Sequence, residues 1–210
     1  MNRLNLAAGL RYNAHSQFGN NTTYELSGSY FIADGLKGFA SFSTAFKAPL
    51  LPQLFGAFGA NPDLLPEDSQ YWTLGLDYTD QNSPFSFGVS YFNRDIDQRI
   101  VFGLNPDTGA FGFNNLARQQ DSGFELAASY RGDEWSLNAA YIFLTGMSTD
   151  NDGNTTSEDL LRRPTSQFDV TINYTGINRL NLGVDFNFTG DRQDLFFDFT
   201  TFETLSLIHI

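Results

Sequence analysis

The chain has 210 residues, enough for roughly one domain, and its 24 acidic against 12 basic residues give a net charge of −12 and a pI near 4.3, which argues against nucleic-acid phosphates as a partner. It has no cysteine and only two histidines, His15 and His209, so disulfide scaffolds, thiolate metal sites and most triad or zinc enzymes lack their parts, and the chain reads as a non-enzyme. Charged residues fall to 17% while aromatics reach 16%, and no apolar run approaches the ~18 residues of a membrane helix; a membrane β-barrel stays open, because its alternating pattern averages out in any window.

Met1-Asn2-Arg3 runs directly into the first alternating segment. No charged, apolar and small-residue leader precedes it. The expectation is either a cytoplasmic protein or an internal piece of a longer one.

Period-two alternation then predicts nine strands, over 4–12, 24–32, 36–43, 72–78, 85–91, 124–130, 135–143, 168–174 and 180–188. Each puts Leu, Val, Ile, Phe, Tyr or Trp on one face and Ser, Asn, Gly, Asp or Glu on most of the other. Arg11, Glu25, Lys37, Asp77, Glu125, Asp169 and Asp185 all fall on the polar face. A one-residue slip would exchange the faces, so the agreement points to a single two-sided sheet.

The connections alternate as well. Short turns are expected near Ala33-Asp34-Gly35, 80–84, 131–134 and 175–179, and long polar loops over 13–22, 47–70, 96–115, 145–166 and from Gly190 onward. Short turns at one rim and long loops at the other, with aromatics such as Tyr12, Trp72, Tyr78, Tyr91 and Trp135 near strand ends, are the layout of an outer-membrane barrel. The polar face suits a water-filled or plugged lumen. Since an open edge cannot persist in lipid, nine strands imply part of a larger barrel. The fold class is therefore all-β, an antiparallel up-and-down transmembrane β-barrel, partial. A soluble antiparallel β-sandwich binding module and a passive porin are the alternatives; detergent dependence separates the first from a barrel.

Phe46-Lys47-Ala48-Pro49, then Asn61-Pro62-Asp63-Leu64-Leu65-Pro66-Glu67-Asp68-Ser69, then Trp72 and Gly75, resemble the barrel signature of TonB-dependent outer-membrane receptors. In order follow Tyr91 to Ile100, Asn114-Asn115 with Gly123-Phe124-Glu125, and Leu161-Arg162-Arg163-Pro164. The set is most similar to the vitamin B12 and siderophore receptor branch. The resemblance implies the eleventh to about the nineteenth strands of a 22-stranded barrel in the outer membrane of a Gram-negative bacterium, monomeric when full length. Its partners would be outer-membrane lipid, a bulky iron chelate or corrinoid, and TonB acting through a plug whose sequence, with its TonB box, is not in this chain. On this reading residues 1–204 belong to the barrel domain. Residues 205–210, Leu-Ser-Leu-Ile-His-Ile, match no strand of the family and are expected to be a non-native tail.

Within that frame Phe55, Phe58, Phe102, Phe111 and Phe113 are candidate ligand-stacking residues in extracellular loops, with loop-against-loop packing as the competing role. Arg11, Glu25, Lys37, Asp77, Glu125, Asp169 and Asp185 would line the lumen and bond the plug or one another. No cofactor is expected beyond a weak calcium candidate, Asp150, Asp152 and Asn154 with Glu158 and Asp159 nearby. That loop is not an EF-hand: its glycine, Gly153, comes at the fourth position.

Overall fold

The computed structural model describes residues 3–105, 109–156, 163–198 and 203–208. The strands are β1 (Leu4–His15), β2 (Gly19–Ala33), β3 (Leu36–Lys47), β4 (Glu67–Thr79), β5 (Phe85–Leu104), β6 (Phe111–Arg131), β7 (Trp135–Thr149), β8 (Thr155–Thr156), β9 (Ser166–Ile177), β10 (Leu180–Thr189), β11 (Gln193–Asp198) and β12 (Glu203–Ile208), with one short helix, α1 (Leu51–Phe55). All nine expected strands form, and they pair antiparallel in one meander, β1-β2-β3-β4-β5-β6-β7-β9-β10, with β8 added to β7. Strands β11 and β12 make a separate two-stranded sheet, which holds Leu205 to Ile208 of the expected tail.

The short turns fall where alternation places them, after β2, β4, β6 and β9, all at one rim. The other rim departs from expectation in two places. Residues 13–22 are not a long loop: Asn13 pairs with Asn21 and His15 with Gly19, leaving a turn of residues 16–18. Residues 96–115 are not a loop either, because β5 and β6 continue in one unbroken register to Leu104 opposite Phe111. The cause is the same in both. Beyond the bilayer both faces of a hairpin meet water, so the apolar alternation stops although the backbone ladder does not. At 20 and 21 residues, these strands are about twice the ~9–11 needed to cross a membrane.

No conventional core exists. Leu54 and Leu64, both in the β3–β4 connection, are the large hydrophobic side chains buried among the described residues, whereas Leu6 is 76% and Leu10 77% exposed. Leu74, Phe87, Val184 and Phe186 are likewise exposed. A sandwich would cover that face with a second sheet, and the six-residue strands β11 and β12 are far too small to do so. The soluble-sandwich alternative therefore fails; lipid is the solvent this face fits.

Across the apolar face the rings form two rows. Near the short turns Tyr78 meets Phe87 at 5.1 Å, Phe85 meets Tyr130 at 5.0 Å and Trp135 meets Tyr174 at 4.5 Å. Toward the other rim Tyr24 meets Phe42 at 5.8 Å, Trp72 meets Tyr91 at 5.3 Å and Phe124 meets Phe143 at 5.4 Å. From Trp72 to Tyr78 is about 20 Å along the strand at ~3.3 Å per residue, close to the height of an apolar belt between two aromatic girdles.

The polar face is concave: Lys37 and Asp77 on β3 and β4 line the same depression as Asp169 and Thr171 on β9. Two inward phenylalanines lie over glycines directly across the ladder, Phe39 over Gly75 and Phe92 over Gly123. A Cβ on Gly123 would run into the Phe143 carbonyl oxygen and come within 2.8 Å of Phe92 Cζ, whereas one on Gly103 would meet nothing within 4 Å. We expect Gly123→Ala to cost about 1–3 kcal/mol through overpacking, read as a lower urea midpoint of the receptor barrel in detergent. Gly103→Ala should leave the midpoint unchanged; equal effects would remove the ring-over-glycine contact as the cause.

Candidate functional site

The long-loop rim is organised by the connection between β3 and β4, residues 48–66. Pro52 starts α1, Gln53 Oε1 accepts the Leu50 N–H at 2.7 Å, and the Gly56 N–H closes on the Pro52 carbonyl at 3.0 Å. The chain then crosses the β5–β6 hairpin and is fastened to it. The Phe113 N–H donates to the Gly59 carbonyl at 2.8 Å, and Asn61 Nδ2 donates to the Phe113 carbonyl at 3.0 Å while Asn61 Oδ1 accepts the Asp63 N–H. Asn115 grips Leu65 on both sides, its Oδ1 taking the N–H at 2.9 Å and its Nδ2 reaching the carbonyl at 3.0 Å. Glu67 Oε1 accepts from Ile100 N–H at 2.9 Å and from Lys47 Nζ at 3.0 Å.

Lys47, Asn61, Glu67 and Asn115, which stand in the sequence as separate short motifs, are thus the clasps of one loop. Gly59 completes it. Its φ is +61°, and an added Cβ would sit 2.7 Å from Phe102 and 2.9 Å from the Gly112 Cα.

Three of the five candidate phenylalanines take part in this fastening. Phe58 stacks on Phe102 at 5.7 Å, and Phe102 meets Phe113 edge-on at 5.1 Å. Phe55, at the end of α1, is 63% exposed, and Phe111 is exposed beside the hairpin tip. Asp107 of that tip, and Leu161, Arg162, Glu158 and Asp159, lie outside the described residues.

The seven charged candidates all sit on the concave face, each in a local bond. Lys37 pairs with Asp77 at 3.0 Å, Arg11 donates to Asn13 Oδ1 at 2.9 Å, and Ser90 donates to Glu125 at 3.4 Å. Asn187 donates to Asp169, and Thr171 to Asp185, both at 2.6 Å. Glu25 lies opposite Gly9 and Ser43. The structure does not bring them together into one cluster.

In the acidic loop the Asp150 carboxylate is taken up by the turn itself, accepting the N–H of Asp152 at 2.9 Å and of Asn154 at 2.8 Å, and Asn154 Nδ2 at 3.0 Å. These bonds hold Asp150 below the usual carboxylate range. Among the described residues no three or more His, Cys, Asp or Glu side chains are placed to hold a metal ion.

One cluster escaped the sequence reading. Arg94 and Asp121, directly opposite in the ladder, form an ion pair, with Arg94 Nε 2.8 Å from Asp121 Oδ2. Arg163 Nη1 lies 3.6 Å from the same oxygen, and Gln119 Nε2 donates to Asp121 Oδ1 at 2.6 Å. Asp121 and Gln119 are each 2% exposed. The signal was available: continuing the alternation beyond Tyr91 and Phe124 puts Arg94 and Asp121 on the polar face. On the opposite face of the same strands Arg118 pairs with Asp95, whose carboxyl is held below its usual range by the Arg118 hydrogen bond. Asp68 faces Asp97 across the ladder; partial burial first, and then the Asp97 charge, push its carboxyl up.

A sequence model of the family "TonB dependent receptor-like, beta-barrel" matches residues 1–206. The chain belongs to the TonB-dependent receptor β-barrel family. Solved structures with the same fold include the siderophore receptor PirA from Acinetobacter baumannii, at 18% identity and a TM-score of 0.74, covering 100% of this chain and 33% of that one. The ferric enterobactin receptor PfeA of Pseudomonas aeruginosa, in complex with enterobactin, matches at 21% identity and a TM-score of 0.76, covering 92% and 31%. The copper transporter OprC matches at 16% identity and a TM-score of 0.70, covering 91% and 34%. The chain spans about a third of the length of these relatives. Family members are receptors and transporters of the Gram-negative outer membrane.

In this TonB-dependent receptor barrel, Gly59→Ala forces an L side chain into the left-handed region, a cost of roughly 1–2 kcal/mol that translates to about tenfold in local opening. The Phe113 amide, which is bonded to Gly59, should exchange with deuterium about that much faster, while the Leu126 amide keeps its rate. An unchanged Phe113 rate would mean that the loop is held elsewhere. For Asp68, whose folded-state pKa is raised, the charged form is disfavoured by folding. Asp68→Asn should therefore stabilise above the raised pKa by roughly 0.5 kcal/mol or less, solvent screening being strong at this exposed site. The gain should vanish as pH falls through that pKa, as urea titrations at neutral and acid pH will read; a gain that persists in acid would contradict it.

Proposed function

We propose that this chain is part of the barrel wall of an outer-membrane receptor that takes up a bulky metal chelate, an iron–siderophore or a cobalamin-like corrinoid, with energy delivered by TonB. The observation that carries the proposal is the clasped β3–β4 loop: an ordered strap at the long-loop rim carries the exposed Phe55 beside a sheet whose other face is polar. A flat exposed ring in that position suits a planar chelate. The match to receptors and transporters described as handling siderophores, ferric enterobactin and copper supports the same reading.

In this proposal Arg11, Glu25, Lys37, Asp77, Glu125, Asp169 and Asp185 face the lumen and bond a plug domain contributed by the rest of the receptor. Movement of that plug admits the ligand. The protein as a whole acts as a monomeric barrel, and the chain has no catalytic role.

The test is uptake of radiolabelled iron chelates and cobalamin by Gram-negative cells that express the whole receptor and lack their own. Accumulation that requires both the receptor and TonB is expected, with Phe55→Ala raising the half-saturating concentration severalfold, the worth of one aromatic contact. Uptake that persists without TonB would favour a passive pore, and no uptake of any chelate would overturn the proposal.

A further inference from the structure

Most of the concave face carries isolated hydrogen-bonded pairs; the exception lies about 10 Å beyond the Tyr91–Phe124 aromatic row, three residues further along each strand at ~3.3 Å per residue. There Arg94 and Arg163 converge on a single buried carboxylate, Asp121, and Arg99 stands close enough to interact electrostatically with all three. The remaining oxygen of Asp121 is taken by Gln119, and Glu67, the other carboxylate near Arg99, is occupied by Lys47 and the Ile100 N–H. Glu125 lies on the same face, four residues down β6 and held by Ser90, about 13 Å away along the strand. The upper part of the wall is therefore locally cationic in a chain of net charge −12.

The cationic side chains are not sealed in. Arg94 and Arg163 are 32% and 47% exposed, against 2% for Asp121, and both line a concavity of ≈600 Å³ with Tyr71, Phe92 and Gln167. The rings of Tyr71 and Phe92 stack, their centroids 6.4 Å apart and their planes at 29°. Guanidinium forks bind oxyanions with several donors in one plane, and an adjacent ring pair offers a flat apolar wall.

We infer that this concavity is a subsite for a planar arene bearing ionised oxygens, the anionic aromatic end of a metal chelate, with Arg163 and Arg94 on the oxygens and Tyr71 and Phe92 against the ring. The inference rests on the uptake reading and narrows it: anionic aromatic chelates are selected over neutral aliphatic chelates and over corrinoids. Arg163 is the residue to remove, because Asp121 keeps Arg94 as a partner and the wall stays neutralised.

The experiment measures binding to the whole receptor in detergent of gallium(III) tris-catecholate, an anionic aromatic chelate, and of a ferric trihydroxamate, neutral and without rings. Arg163→Gln should weaken tris-catecholate binding about tenfold or more, the worth of a charged hydrogen bond, and the loss should shrink at high salt. Tyr71→Leu should weaken the same chelate, and neither substitution should move trihydroxamate binding beyond about twofold. Equal weakening of both chelates overturns the inference, as does a fall in thermal midpoint with both affinities unchanged, which would give Arg163 a purely structural task. TonB-dependent import of the trihydroxamate together with no binding of the tris-catecholate also overturns it while leaving the uptake reading intact; absence of any TonB-dependent import removes both.

Discussion

The structure depends on one constraint: inside a bilayer every backbone N–H and C=O must find a partner in the protein, because neither lipid nor water supplies one. The nine-strand meander meets that demand by ladder pairing from β1 to β10, and it leaves side chains free to serve two solvents. Apolar residues face lipid and polar residues face the concave side, which is why a chain of this length buries so few large hydrophobic side chains. The same constraint bears on the outer edges of β1 and β10. In lipid those edges require further strands, as the longer relatives would provide.

How much of this could be read in advance follows from where each residue sits. Leu4 to Tyr12 or Phe124 to Tyr130 announce themselves because lipid on one side and a polar lumen on the other enforce alternation. Asn93 to Ile100 carry no such signal, since both faces of the projecting hairpin meet water, so β5 and β6 were legible only to the membrane surface. The short turns were legible from Asp34-Gly35 and from Ser83-Pro84. The loops at the other rim were only partly so.

The candidate site shows a different limit. The motifs containing Lys47, Asn61, Glu67 and Asn115 were visible as patterns, but their purpose was not, because the bonds they make join residues about fifty positions apart, Asn61 to Phe113 and Leu65 to Asn115. Phe58, Phe102 and Phe113 carried the same ambiguity: an aromatic in a loop reads alike whether it stacks on a ligand or on another ring, and the stack decides for packing. Arg94 and Asp121 become a pair only once the β5–β6 register is known. The clasped loop also couples these features, since Glu67 fixes the loop beside Arg99 and so sets the distance between Phe55 and the arginine cluster.

The rings that lie over Gly75 and Gly123 have a consequence for how such a protein can change over time. Outward positions ask only for oiliness, so Leu, Val, Ile and Phe are interchangeable there and drift costs little. The two recessed glycines, the left-handed Gly59 and the amides of Asn61 and Asn115 each admit almost no substitute. The fold's specification is thus concentrated in a handful of small residues, and most of the remaining letters record the solvent rather than the architecture. A barrel of this kind can diverge until its relatives share few residues and still keep its shape.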